Sequence, residues 1–234
     1  MIHTNGHLLC AVDVETTGTD ISQHEVYQVA ILPLDYQLEP IKEIIPFYIN
    51  IRPERVDNID PNALLIGKKK LVDIINHSMD RYHAAELLDS WFHDLNLPCT
   101  TATQKKIMPL WSNGSFDKKF LIKWLDQELY DSYFYFHERD TQETALAIND
   151  RFYQHGEKIP FPKVGLPYLS TCFNVVNENA HDALSDCLAA SQVYKKMLTM
   201  WVPTLLGGEH KLHTDDMKSQ VWDHPDESKC SLSE

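Results

Sequence analysis

The sequence predicts an α/β domain in which one mixed β-sheet is flanked by helices. Three observations lead there. Apolar, β-branched runs of strand length cluster in the first 53 residues, amphipathic helical patterns dominate from residue 84 onward, and a short apolar run at 107–113 is followed directly by a helical pattern. Strands first, then strands alternating with helices, is the order of a mixed sheet covered by helices. With 234 residues, 43% of them hydrophobic, the chain can bury one sizeable core, and one domain is expected over residues 1–206.

The elements follow in order. "LLCAVDV" (8–14), "VYQVAILPLD" (26–35) and "IIPFYINIRP" (44–53) read as a three-stranded meander. Residues 84–95 place Ala84, Leu87, Leu88, Trp91, Phe92 and Leu95 on one helical face. "IMPLWSN" (107–113) ends in cap residues, and a helix is expected from Ser115 to Leu129. "SYFYFHER" (132–139) reads as a strand, and 141–153 as a helix opened by Thr141. A Pro- and Gly-rich loop leads to a short helical piece around "YLSTCF", and the last helix spans Ala183 to Trp201. Residues 207–234 carry seven acids against three lysines and few apolar side chains, the composition of a peripheral or disordered tail. Within it Val221 and Trp222 either pack back on the domain or dock a partner.

Composition narrows the function. A formal charge of −13 excludes polyanion binding through overall charge, so a nucleic acid would have to be met by local basic patches or metal ions. Cys10, Cys99, Cys172, Cys187 and Cys230 are odd in number and show no CxxC spacing, which fits reduced thiols in the cytoplasm. The N-terminus has no signal-peptide pattern, and no apolar run approaches the roughly 18 residues of a membrane span, so no membrane association is expected. There is no HExxH motif, and the His-x-x-His pair, His210 and His213, falls in the tail.

One stretch breaks the apolar pattern. "AVDVETTGTD" (11–20) sets Asp13 and Glu15 two apart in a strand, on one face, where acids are disfavoured. Two further sites offer a reason. In "SNGSFDKKFL", Asp117 opens a helix behind a strand, where Ser112, Asn113 and Ser115 are competent caps and the helix dipole favours a carboxylate. In "NENAHDALSDCLAAS", Asp186 lies roughly 60° from the apolar stripe of its helix and Asp182 roughly 100°. Asp186 therefore faces the core and Asp182 reaches water. His181 shares a site with Asp186 most easily from the loop before the helix, with Asp182 as cap.

Singly, each residue has a plainer reading: a helix cap, a surface histidine, a solvent-facing strand edge. Together they describe a metal centre. Two carboxylates about 4 Å apart repel by about 4 kcal/mol at an effective dielectric near 20. If Asp13, Glu15, Asp117 and Asp186 meet, they take up protons or unfold the site unless cations neutralise them, and all-oxygen ligands suit Mg²⁺ or Mn²⁺. Two such ions can clamp a phosphodiester, and a histidine, titrating near neutral pH, can take a proton from the attacking water.

On these residues the chain resembles the DnaQ-like, or DEDDh, 3′→5′ exonucleases. "DVETTG" is similar to the family's first motif, "NGSFD" to the second through Asn113, Phe116 and Asp117, and "HDALSD" to the third, in the form with histidine as base. "FYINIRPE", "DPNALLIG", "DTQETA" and "LPYLSTCFNV" extend the likeness over roughly Leu8 to Trp201. The resemblance implies a ribonuclease H-like fold: a five-stranded mixed sheet with helices on both faces. It implies release of nucleoside 5′-monophosphates from 3′ ends with two divalent ions, Mg²⁺ or Mn²⁺. Asp13, Glu15 and Asp186 would hold the ion nearer the nucleophile, Asp13 also reaching the second ion. Asp117 would act on the second ion, and His181 would be the general base. Thr16, Thr17 and Gly18 would line the terminal nucleotide, with Asn113, Phe116 and Ile66 on the substrate side.

One departure stands out. Where many members carry His-Gly, this chain has Ile66-Gly67 followed by Lys68, Lys69 and Lys70. Ile66 offers an apolar wall, and the lysines either meet phosphates or form a plain solvated loop. Single-stranded DNA 3′ ends are the favoured substrate, because Thr16 follows Glu15 where oligoribonuclease-type members carry Met. The enzyme would act alone or beside a polymerase or other replication or repair protein. An exoribonuclease is the rival within the class, and a non-catalytic recruiting module the rival outside it.

Overall fold

The computed structural model describes residues 6–99 and 104–200. The expectations for the tail, with His210, His213, Val221 and Trp222, and for Trp201 and Cys230, lie outside the described residues. Strands β1 (Leu8–Thr16), β2 (Val26–Pro33) and β3 (Phe47–Asn50) form the expected antiparallel meander. Helices α1 (Pro61–Ile66), α2 (Leu71–Asn76) and α3 (Arg81–Asp94) lead to β4 (Ile107–Trp111), which pairs parallel to β1. Then follow α4 (Gly114–Leu125), α5 (Gln127–Tyr133), β5 (Arg139–Asp140), α6 (Thr141–Gln154), α7 (Leu166–Cys172) and α8 (Ala183–Met200). The sheet is five-stranded and mixed, in the order β3-β2-β1-β4-β5.

Side-chain alternation along β1 divides the core. Leu8, Cys10, Val12 and Val14 pack with Leu88 and Phe92 of α3, with Phe120, Leu121 and Trp124 of α4, and with Trp111. Leu9 and Ala11 face the other way, with Ala30, Met108 and Leu110, onto Ala183, Cys187 and Tyr194 of α8. The small residues on that face let the helix approach until the Cys187 thiol lies 3.7 Å from the Ala30 carbonyl oxygen. Helices α6 and α7 complete a third cluster against the outer side of α8.

Several boundaries differ from expectation, each for a local reason. The expected helix 115–129 is two helices. Asp126 adopts φ 67°, its N–H closes α4 on the Ile122 carbonyl, and its carboxylate caps α5 at Leu129 N. The expected strand 132–139 is mostly absent: Tyr130, Tyr133 and Phe134 are buried at helical i, i+3, i+4 spacing. What remains of it is a bridge from Phe134 to Ile107 and the two-residue β5. The third strand shrinks to Phe47–Asn50, since Pro46 has no N–H to give the ladder and Ile45 is 82% exposed. Helices α1 and α2 were not anticipated, although Asp60-Pro61 marks the first plainly: the Asp60 carboxylate accepts from Asn62 N and Pro61 takes the first helical position.

Candidate active site

The two acids of β1 lie on the face that meets α8. Continuing the alternation past Leu9 and Ala11 brings Asp13 and Glu15 beneath the start of that helix, opposite Ala30 and Gln28 of β2. The residues before α8 turn sharply. His181 has φ 68°, the Asp182 carbonyl accepts from Asp186 N at 2.9 Å, and the Asp182 carboxylate approaches Ser185 N at 3.4 Å. His181 thus stands in the loop with Asp182 at the cap position, as the sequence suggested. Ligand atoms of Glu15, His181 and Asp186 all come within 4.8 Å of one another, close enough to hold one cation.

Asp117 arrives from the other side. It is 4% exposed in the first turn of α4, near enough to act electrostatically on Asp13, Glu15 and Asp186. None of Ser112, Asn113 and Ser115 caps this helix as expected. Asn113 holds the cap position at φ 80° without a side-chain cap bond. The Asp140 carboxylate takes that role from β5, accepting from Gly114 N at 2.7 Å and from Asn113 N at 3.4 Å. The same carboxylate accepts from Gln142 N at 2.7 Å and so caps α6, which opens at Thr141 as expected, and the Thr141 hydroxyl bonds Ser112. Gly114 is required here because a Cβ would lie 2.4 Å from the Trp111 indole.

Electrostatics mark the cluster as anion-rich. Burial, then repulsion from Asp117, Glu15 and Asp186, holds Asp13 well above the usual carboxylate range. Burial and the Asp186 charge push Glu15 up to about 8, against the pull of Lys69 and the Tyr27 hydroxyl. Burial, then the charges of Glu15 and Asp140, holds Asp117 well above the usual carboxylate range. Asp186 is raised by burial, although the Asn177 amide donates to it at 2.5 Å and His181 N at 3.3 Å. The neighbouring Cys187 thiol is pushed up by burial and by Asp13, Asp186 and Asp117.

The expected substrate-side residues divide. Thr16 bonds the Gly18 carbonyl, and Thr17 is buried with its hydroxyl accepting from Glu25 N, so its side chain is structural. Gly18 lies against the His24 ring, 2.5 Å from where a Cβ would sit. Ile66 is exposed, Phe116 packs on Phe120, and Asn113 accepts from Ser115.

Sequence reasoning missed Gln28, which is 2% exposed. Its amide donates to the Tyr48 hydroxyl and to Asn50, and its carbonyl accepts from Ala183 N, tying β2, β3 and α8 together. A lone amide in "VYQVAIL" was the available signal. Asn177 and Asp140 were also missed, the latter signalled as an acid directly before a helix.

No family model and no curated protein matches the chain. Solved structures do match. An exonuclease I structure superposes with a TM-score of 0.64 at 21% identity over 82% of this chain and 41% of that one. E. coli exonuclease I in complex with a dT13 oligonucleotide gives 0.60 at 19%, covering 82% and 41%. Cell-death related nuclease 4 gives 0.61 at 17%, covering 86% of this chain and 66% of that one. The chain therefore spans about two-fifths of the exonuclease I structures, 41% of their length. In fold, the chain is an α/β domain with a five-stranded mixed sheet, similar to part of exonuclease I and to cell-death related nuclease 4.

Proposed function

We propose that the chain is a metal-dependent 3′→5′ exonuclease that releases nucleoside 5′-monophosphates from single-stranded DNA ends, acting alone or beside a polymerase. The observation that carries this is the convergence of Asp13, Glu15, Asp117 and Asp186, all with raised carboxyl pKa values, beside His181 on a nuclease fold. Such a cluster is satisfied by divalent cations, and its carboxylate-rich donor set fits Mg²⁺ or Mn²⁺. E. coli exonuclease I is also known in a zinc-bound complex with single-stranded DNA, at 20% identity to this chain. Two ions bound here would supply Lewis acidity and charge neutralisation on both sides of a scissile phosphate.

The chain's own groups supply the rest. Asp13, Glu15 and Asp186 would hold one ion, and Asp117 would act on the other. His181, standing before α8, takes the proton of the attacking water. The Thr16–Gly18 backbone lines the terminal nucleotide, and exposed Leu65 and Ile66 form an apolar wall for its base. Residues 1–206 form the catalytic unit and 207–234 an accessory tail. Among the described residues no helix is long and apolar enough to cross a membrane.

The test is a time course on matched 5′-labelled single-stranded DNA and RNA, with Mg²⁺, Mn²⁺ or chelator and with Asp13→Ala as blank. A ladder shortening from the 3′ end only with metal and intact Asp13 is expected, faster on DNA. A faster RNA ladder would reassign the substrate, and no ladder from folded protein would sink the enzyme reading.

A further inference from the structure

The turn after α1 sorts three consecutive lysines. Lys68 N donates to the Leu65 carbonyl at 3.2 Å and Lys69 N to the Leu64 carbonyl at 3.0 Å, the pairing of a Schellman cap. The left-handed position of that cap, which favours glycine, holds Lys68 at φ 51°. The glycine comes one residue earlier. Gly67 lies against the Tyr27 hydroxyl, where a Cβ would be only 2.8 Å away, and Tyr27 stands beside Glu15. The turn is thereby pinned to the sheet next to the acids, at the cost of a non-glycine residue in left-handed backbone.

The result aims one lysine inward. Lys68 and Lys70 are exposed, whereas Lys69 folds over the cluster, its Nζ 3.6 Å from Asp182 Oδ2. That oxygen already accepts from the Tyr48 hydroxyl at 2.6 Å, which Gln28 steadies in turn. An ion pair this long and partly exposed does little for stability. The end of α1 also carries Leu65 and Ile66, 76% and 57% exposed, separated from the lysines only by Gly67. An apolar wall beside an inward cation suits a nucleotide, with a base for the wall and a phosphate for the charge.

We propose that Lys69 is a phosphate ligand for the nucleic-acid substrate, held ready by Asp182 and transferred to the strand's backbone as it enters. The proposal rests on the exonuclease reading and gives the acidic site its attractive charge for a polyanion. Lys68 and Lys70 take no part.

The experiment compares Lys69→Gln with Lys68→Gln and Lys70→Gln, each first checked for an unchanged melting temperature. Binding of a 5′-fluorescein oligothymidylate is followed by anisotropy with Ca²⁺ replacing Mg²⁺, over a series of NaCl concentrations. Lys69→Gln should weaken binding about tenfold, the loss of one charge-assisted bond. It should also make the slope of log affinity against log salt shallower by about 0.7. In Mg²⁺-driven cleavage, KM should rise by a similar factor with kcat nearly unchanged. Equal behaviour of the three variants would overturn the proposal, as would a loss confined to kcat. If the wild type binds but cleaves nothing, the exonuclease reading fails while the binding series still judges Lys69. A wild type that neither binds nor cleaves overturns both.

Discussion

The two faces of β1 share one backbone and one sheet but do different things. Leu8, Cys10, Val12 and Val14 keep the first face apolar until Thr16 ends the strand, and pack against the aromatic side chains of α3 and α4. Leu9 and Ala11 start the opposite face in the same manner, and Asp13 and Glu15 finish it. The difference lies in what covers each face. Bulky residues fill the first as far as Val14, while the last positions of the second meet the first turn of α8 and the loop that carries His181. One strand can thus bury an apolar core on one side and gather carboxylates on the other, where its covering helix begins.

The largest expected effect is on the acid face. Asp13→Ala should bring cleavage below detection while the metal-free protein melts at the same temperature or higher, because repulsion is relieved. Thermal melts beside an oligonucleotide assay check both halves, and a lower melting temperature would make Asp13 structural. Next comes His181→Ala, expected to slow turnover by about 10²–10⁴-fold. The stabilisation by Mn²⁺ should largely persist; if it vanishes, His181 is a ligand rather than a base. On the apolar face the sign reverses: Phe120→Ala should cost about 3–5 kcal/mol in denaturant unfolding, with the folded fraction still active.

A smaller effect separates the faces by pH. Glu15 has a raised carboxyl pKa, so the folded state binds its proton more tightly than the unfolded chain does. Stability of the metal-free protein should therefore fall as pH rises from the ordinary glutamate value of 4.5 toward about 8. Divalent ions should raise the melting temperature more at pH 8 than at pH 5.5. Equal metal shifts at both values would mean that the acid face is not the binding site. Smallest is Asp140→Ala, which removes the cap shared by α4 and α6 and should cost about 1–2 kcal/mol.

Much of this was legible in the chain, because the features that could be read are local. Asp13 and Glu15 two apart, the strand-then-helix setting of Asp117, and the phase of Asp186 on its helix all follow from fixed periodicities. The failures lie where distant residues decide. "SYFYFHER" has strand composition, yet its aromatic residues complete a helical face begun at Tyr130. Asn113 looked like a cap, but Asp140 reaches two helix starts at once, and no window of sequence contains both. Gln28 gains its meaning from Tyr48 and Asn50 on β3 and from Ala183, 155 positions away. Lys69 differs from its two neighbours through a backbone turn that composition does not encode.

The outer strands have a consequence for self-association. β3 is four residues long and β5 is two, and they form the two edges of the sheet. Edges this short leave few unpaired backbone groups to template another chain, whereas the longer, more hydrophobic β1 and β2 are enclosed between neighbours. A sheet arranged in this way resists edge-to-edge aggregation without charged gatekeepers on its central strands, which leaves the carboxylates of β1 free for other work.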